Sequence, residues 1–116
     1  MKAQDLRIGN YVEHHKEVVR IVGITEENPY IDTITIDYLD WDEIEPIPLT
    51  EEWLLKFGFV KLGKLDFFYI SEQEMNFKVS CDLKMIAWYN LQLHGVEIKH
   101  VHQLQNLYFA LTNTEL

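Results

Sequence analysis

The strongest hydrophobic pattern in the chain lies in its last stretch, residues 100–112. Apolar side chains recur there at every third or fourth position, the spacing that places them on one face of an α-helix. They are Val101, Leu104, Leu107, Tyr108 and Leu111. We therefore predict a C-terminal helix over residues 101–111 that buries this face against the strands before it.

A second helix is predicted just after the middle of the chain, because every local signal there agrees. Thr50 is a suitable N-cap, and Glu51 and Glu52 follow it where the helix dipole favours negative charge. Gly58 supplies a left-handed stop. The predicted buried face of this helix consists of Trp53, Leu54 and Phe57.

The pattern in the first part of the chain is typical of short strands. Gly9-Asn10 and His15-Lys16 are predicted turns, the second at a hairpin tip. Strands are predicted at 11–14, 17–24, 33–38 and 44–47. Because these strands are short and closely spaced, we expect a small, strongly twisted antiparallel sheet of the SH3-like roll type.

The rest of the chain is predicted to form an antiparallel β-meander, on which the C-terminal helix lies. Its strands are predicted at 59–62, 65–70, 75–81, 83–89 and 96–99. The fold class is therefore α+β. We predict one domain over residues 1–116, with a β-roll at 1–48 and a second sub-structure at 49–116.

Composition narrows the choice of partners. The 116 residues carry 10 Lys and Arg against 19 Asp and Glu, a net charge of −9. This balance argues against direct nucleic-acid binding and favours solubility or a basic protein partner. Cys81 is the one cysteine, which suits a reducing compartment. With no signal-peptide-like start and no apolar run of membrane-spanning length, we expect a soluble cytoplasmic protein.

An acidic segment at residues 37–45 is the first candidate site. A solvated loop, a protein-binding patch anchored by an exposed aromatic, and a cation site are all compatible with it. The predicted interaction residues are Tyr38, Asp40, Trp41, Asp42 and Glu43.

Histidines supply the second candidate. His100 and His102 form His-x-His, which could hold a metal, although no third ligand is marked by spacing. Surface or helix-start histidines are the more ordinary interpretation, and His14, His15 and His94 fall on predicted turns. No cofactor is predicted, because the sequence contains no glycine-rich phosphate loop or nucleophile elbow.

The C-terminal amides and the cysteine have simpler interpretations. Gln103, Gln105 and Asn106 are expected to hydrogen-bond loop backbone, with a binding surface as the alternative. Cys81 lies on the predicted inward face of its strand and is expected to be inert packing.

Two segments resemble a known family. They read IEPIPLTEEWLLKFGF at 44–59 and HVHQLQNLYFALT at 100–112, and the opening LRIGNYV at 6–12 fits as well. The chain is similar to small uncharacterised proteins of Bacteroides-type gut bacteria and their phages or integrated elements. That family usually has Gly where Asn113 stands, and Asn also tolerates the left-handed helix stop. The resemblance implies an accessory role tied to mobile elements.

Three functions follow as hypotheses. The first is a non-enzymatic protein-interaction module. The second is a nucleic-acid-associated SH3-like module, or an acidic mimic of nucleic acid. The third is a metal-assisted enzyme acting through His100 and His102. Because no catalytic constellation is marked, we favour the first.

Overall fold

A computed structural model describes residues 5–24, 29–31, 37–38, 43–61, 67–70, 77–80, 86–88, 91–93 and 98–116. Within these residues the chain forms ten strands and two helices, so the predicted α+β class is confirmed. The chain divides into two compact units. The first contains residues 1–48 and 100–115, and the second contains residues 49–99. The prediction that these form a single domain stays a prediction.

The first unit contains an antiparallel sheet. Its strands are β1 (Tyr11–His14), β2 (Glu17–Ile24), β3 (Pro29–Ile31), β4 (Asp37–Tyr38) and β5 (Ile44–Glu45). Among the described residues their order is β4-β3-β2-β1-β5. β1 and β2 have the predicted bounds, whereas β3 was not predicted and β4 is the end of a longer predicted strand.

The core of this sheet follows from the alternation of its strands. Val12 lies opposite Val19 in the β1–β2 register, so both side chains point to the same face. Val12, Ile21 and Ile44 are fully or almost fully buried on three different strands and pack with Leu6. The opposite face carries Glu13 of β1, Arg20 of β2 and Glu45 of β5.

The helix α2 (Val101–Thr112) belongs to this first unit. It begins at the predicted residue and ends one residue later than predicted, and Asn113 ends it with the expected left-handed backbone at φ 57°. We predict from the sequence that the helix lies on the second sheet, whereas its residues group with those of the first sheet in one compact unit. Within this unit, the Val101 N–H donates to the Ile47 carbonyl at 2.9 Å.

Gln105 explains much of this placement. It is buried on α2, where its Oε1 accepts a hydrogen bond from the Tyr11 N–H at 2.9 Å. Its Nε2 donates to the Gly9 carbonyl at 3.1 Å. Because buried polar groups need partners, the amide fixes the helix against the start of β1. The prediction that this amide bonds loop backbone is confirmed.

A second amide pair reinforces the contact. Asn10 is fully buried, and its Nδ2 donates to Asn106 Oδ1 at 2.8 Å. Asn10 Oδ1 accepts from the Arg7 N–H, and Asn106 Nδ2 donates to the Asp5 carbonyl. Gly9, at φ +100°, makes the turn that precedes β1.

The second unit begins with a short helix and continues as a meander. Its elements are α1 (Glu51–Lys56), β6 (Phe59–Lys61), β7 (Phe67–Ile70), β8 (Phe77–Ser80), β9 (Ile86–Trp88) and β10 (Leu91–Leu93). The strand order is β10-β9-β8-β7-β6 among the described residues. The predicted cap and stop are confirmed, since Thr50 Oγ1 accepts from the Trp53 N–H and Gly58 has φ +93°.

The fifth strand differs from the prediction. It lies at Leu91–Leu93, where apolar and polar residues alternate, and Ile98 and Lys99 of the predicted 96–99 strand are not in a strand. Phe59 and Phe77 are buried in this unit with their rings edge to face at 6.1 Å. Of the predicted buried face of α1, Leu54 is fully buried, whereas Trp53 and the C-cap residue Phe57 are only partly buried.

Candidate functional site

The β1–β2 hairpin places two adjacent histidines at the end of the first sheet. His14 closes β1, and His15 and Lys16 form the turn, with φ values of +49° and +67°. Two consecutive positive φ values are characteristic of the tight turns that match strand twist, where Asn and Gly are more usual. The sequence prediction of a hairpin tip at these two residues is confirmed.

This turn brings the two imidazoles to the same place. Neighbouring residues of a regular strand point to opposite faces, but the left-handed backbone of His15 breaks that alternation. The ring centroids of His14 and His15 are 4.0 Å apart, with the ring planes tilted by 52°. His15 is exposed and His14 is half-buried.

Glu43 reaches the same point from a distant part of the sequence. β5 pairs with β1 so that Ile44 lies opposite His14, which places Glu43 beside the hairpin end. Glu43 Oε2 lies 3.7 Å from His14 Nε2. Among the described residues, one ligand atom from each of His14, His15 and Glu43 falls within 4.8 Å of the other two.

We call these three residues the hairpin cluster. The His14 Nε2 atom is buried and has no hydrogen-bond partner among the described residues. Two imidazoles and a carboxylate are donors that transition metals accept. Local sequence patterns place the histidines on a turn and Glu43 in an acidic segment, and they do not indicate that these residues lie close together. Glu43 comes close to the two histidines because β5 pairs with β1, and local sequence patterns do not reveal this pairing.

The opposite side of this sheet carries a second feature, which we call the outer face and define as Glu13, Val18 and Glu45. Glu13 lies directly opposite Glu45 on β5 and opposite Val18 on β2. Glu45 is exposed, Glu13 is half-buried, and Val18 is 51% exposed. Arg20 is on the same side but faces Tyr11. Like charges directly opposite each other in a sheet are destabilising.

His100 and His102, which are only weak metal candidates in the sequence, stack at the start of α2, with ring centroids 5.8 Å apart. His102 is buried, and its Nδ1 has no hydrogen-bond partner among the described residues. Burial lowers the pKa of His102, and nearby His100 lowers this pKa further, while Asp5 opposes both effects. His102 is thereby held neutral near pH 7. The three-donor group found among the described residues is the hairpin cluster instead.

Only two of the five predicted interaction residues lie in the part of the chain that the structure describes. Tyr38 belongs to β4, and Glu43 lies exposed beside β5, at the other end of the strand order. Asp40, Trp41 and Asp42 lie outside the described residues, as do Cys81 and His94. Their assignment to a binding patch stays a prediction.

Comparison with known proteins adds no relatives. No family model, curated protein or solved structure matches the chain. Over the described part of the chain, no helix is both long enough and apolar enough to span a membrane. We therefore infer the function from the residues themselves.

Proposed function

We propose that the chain is a non-enzymatic protein-interaction module that binds a Lys- or Arg-bearing segment of a protein partner on its outer face. The observation that carries this proposal is the direct pairing of Glu13 with Glu45. The whole chain has a net charge of −9, so its field attracts a basic partner over longer distances.

The pairing of two carboxylates has a cost in the free protein that a basic partner would remove. Two like charges opposite each other weaken a sheet by roughly 0.2–1 kcal/mol relative to neutral pairs. A Lys or Arg side chain between them would turn this repulsion into charge-assisted hydrogen bonds. Val18, exposed beside Glu13, offers an apolar contact next to the charged pair.

The acidic segment extends this surface in our proposal. Glu43 is close in sequence to Glu45, and Tyr38, Asp40, Trp41 and Asp42 are the further contacts that we predict. Trp41 would be the aromatic anchor of such a patch, because aromatic residues dominate many protein interfaces. An accessory role in mobile elements is the biological setting that we propose.

Affinity capture from the encoding organism with charge-reversed variants tests this function. We expect Glu45→Lys to lose a partner that wild type retains, and the partner's binding to weaken as salt rises. Glu51→Lys, which makes the same charge change on α1 of the second unit, is the matched control and should keep the partner. Trp41→Ala tests the predicted aromatic contact.

A stability measurement on the same variants separates binding from folding. Glu45→Lys should raise the free energy of unfolding by about 0.2–1 kcal/mol, because it replaces a repulsive pair with an attractive one. Loss of the partner from a variant that is more stable than wild type supports the proposal. Identical partners for wild type, Glu45→Lys and Glu51→Lys would overturn it.

A further inference from the structure

We infer that the hairpin cluster of His14, His15 and Glu43 is a binding site for one Zn²⁺ ion. The cluster uses neither Glu13 nor Glu45, the pair that carries the proposed function, and it shares only Glu43 with the acidic segment that extends that surface. Two imidazole nitrogens and one carboxylate oxygen are a common three-ligand set for zinc, which leaves a fourth position for water or a partner group. Imidazole donors also favour zinc over Ca²⁺ or Mg²⁺, which bind mainly oxygen.

The distances suit an ion of this size. With zinc about 2.0–2.1 Å from each ligand atom, two ligands of a tetrahedral site lie about 3.3 Å apart. His14 Nε2 and Glu43 Oε2 are 3.7 Å apart, and all three donor atoms lie within 4.8 Å of one another. Glu43 and His15 are exposed, so rotation of their side chains can close the remaining gap without moving the strands.

The buried nitrogen of His14 is the independent observation that indicates a ligand. A buried polar atom without a partner destabilises the folded chain, and a ligand that supplies the partner removes this penalty. His14 Nε2 is such an atom among the described residues, and the facing carboxylate is too distant for a hydrogen bond. An ion between the two groups would give the His14 nitrogen a partner.

The backbone of the hairpin favours the same arrangement. His15 adopts φ +49°, a conformation that is uncommon outside glycine but enriched in His, Asn and Asp. This conformation turns the His15 ring towards His14, as shown by their 4.0 Å separation. A bound ion would therefore tie the hairpin tip to the residue that precedes β5, joining segments that are far apart in sequence.

Calorimetric titration of the full-length, tag-free and chelator-treated protein with Zn²⁺ tests this site. We expect one ion per chain and an upward shift of the melting temperature. His15→Asn keeps a residue that tolerates the left-handed backbone, and Glu43→Gln keeps the shape of the side chain. Each should weaken zinc binding by more than about tenfold, the loss typical of disturbed metal sites.

His100→Gln is the matched control, because it removes a histidine of the first unit that lies outside the hairpin cluster. It should leave the affinity unchanged. Nuclear magnetic resonance of the imidazoles provides a second readout, in which zinc shifts the signals of His14 and His15. Absence of binding at millimolar Zn²⁺, a preference for Ca²⁺, or loss of binding in His100→Gln with retention in His15→Asn would each overturn the inference.

Discussion

Replacing Gln105 by methionine tests whether its amide holds α2 to the first sheet. Gln105 is 1% exposed and makes one hydrogen bond to the Tyr11 N–H and one to the Gly9 carbonyl. Methionine has a similar length but can make neither bond. The change therefore removes polar partners without opening a large cavity.

The expected loss of stability follows from the two backbone groups that Gln105 contacts, the Tyr11 N–H and the Gly9 carbonyl. Each buried backbone group that loses its partner costs about 1–3 kcal/mol, giving about 2–6 kcal/mol for the pair. Burying the more apolar methionine returns about 1–2 kcal/mol. We therefore expect a net loss of up to about 5 kcal/mol, a large fraction of the 5–15 kcal/mol typical of a domain.

Urea unfolding followed by circular dichroism measures this loss, and hydrogen exchange locates it. The Tyr11 amide should lose protection first, together with the amides of α2. Ala110→Met introduces the same residue at an exposed position of the same helix and should change stability by less than about 0.5 kcal/mol. If Gln105→Met behaves like this control and the Tyr11 amide stays protected, the amide does not hold the helix.

Three further outcomes are expected. Thr50→Ala should lower stability by about 0.5–1 kcal/mol in thermal melts, at the weak end for an N-cap because the bond to Trp53 is long at 3.4 Å. His102 has a lower pKa in the folded than in the unfolded chain, so stability should be highest above pH 6.5 and fall as the pH drops towards the folded pKa. His102→Leu should make urea midpoints less dependent on pH over this range. Glu115→Gln should cost less than about 1 kcal/mol, and less still in high salt, because the ion pair with Arg7 is partly exposed.

Locally encoded elements of this fold could be predicted from the sequence. The α1 helix is defined by Thr50 and Gly58, residues that act on their immediate neighbours, and both act as expected. The β1–β2 hairpin and α2 could also be predicted from the sequence, because alternating and helical spacing of apolar residues indicates which face of each element is buried. In each case the signal lies within the element itself.

Long-range contacts could not be predicted in the same way. Helical spacing shows that α2 buries one face, but it does not show that Gln105 bonds Tyr11, which is 94 positions away. The hairpin cluster depends similarly on β5 pairing with β1. His14 and Glu43 each have an ordinary local interpretation, and their proximity is a property of the register alone.

The hydrogen bond between Leu49 and Lys99 has a consequence for how the chain folds during its synthesis. The Leu49 N–H donates to the Lys99 carbonyl at 2.9 Å, so the two ends of the second unit adjoin, as they do in domains that tolerate insertion into a host. The first unit is then the interrupted host, and its contacts with α2 must wait for residues 100–115 to leave the ribosome. The second unit can therefore finish folding before the first unit does, although residues 1–48 of the first unit are synthesised earlier.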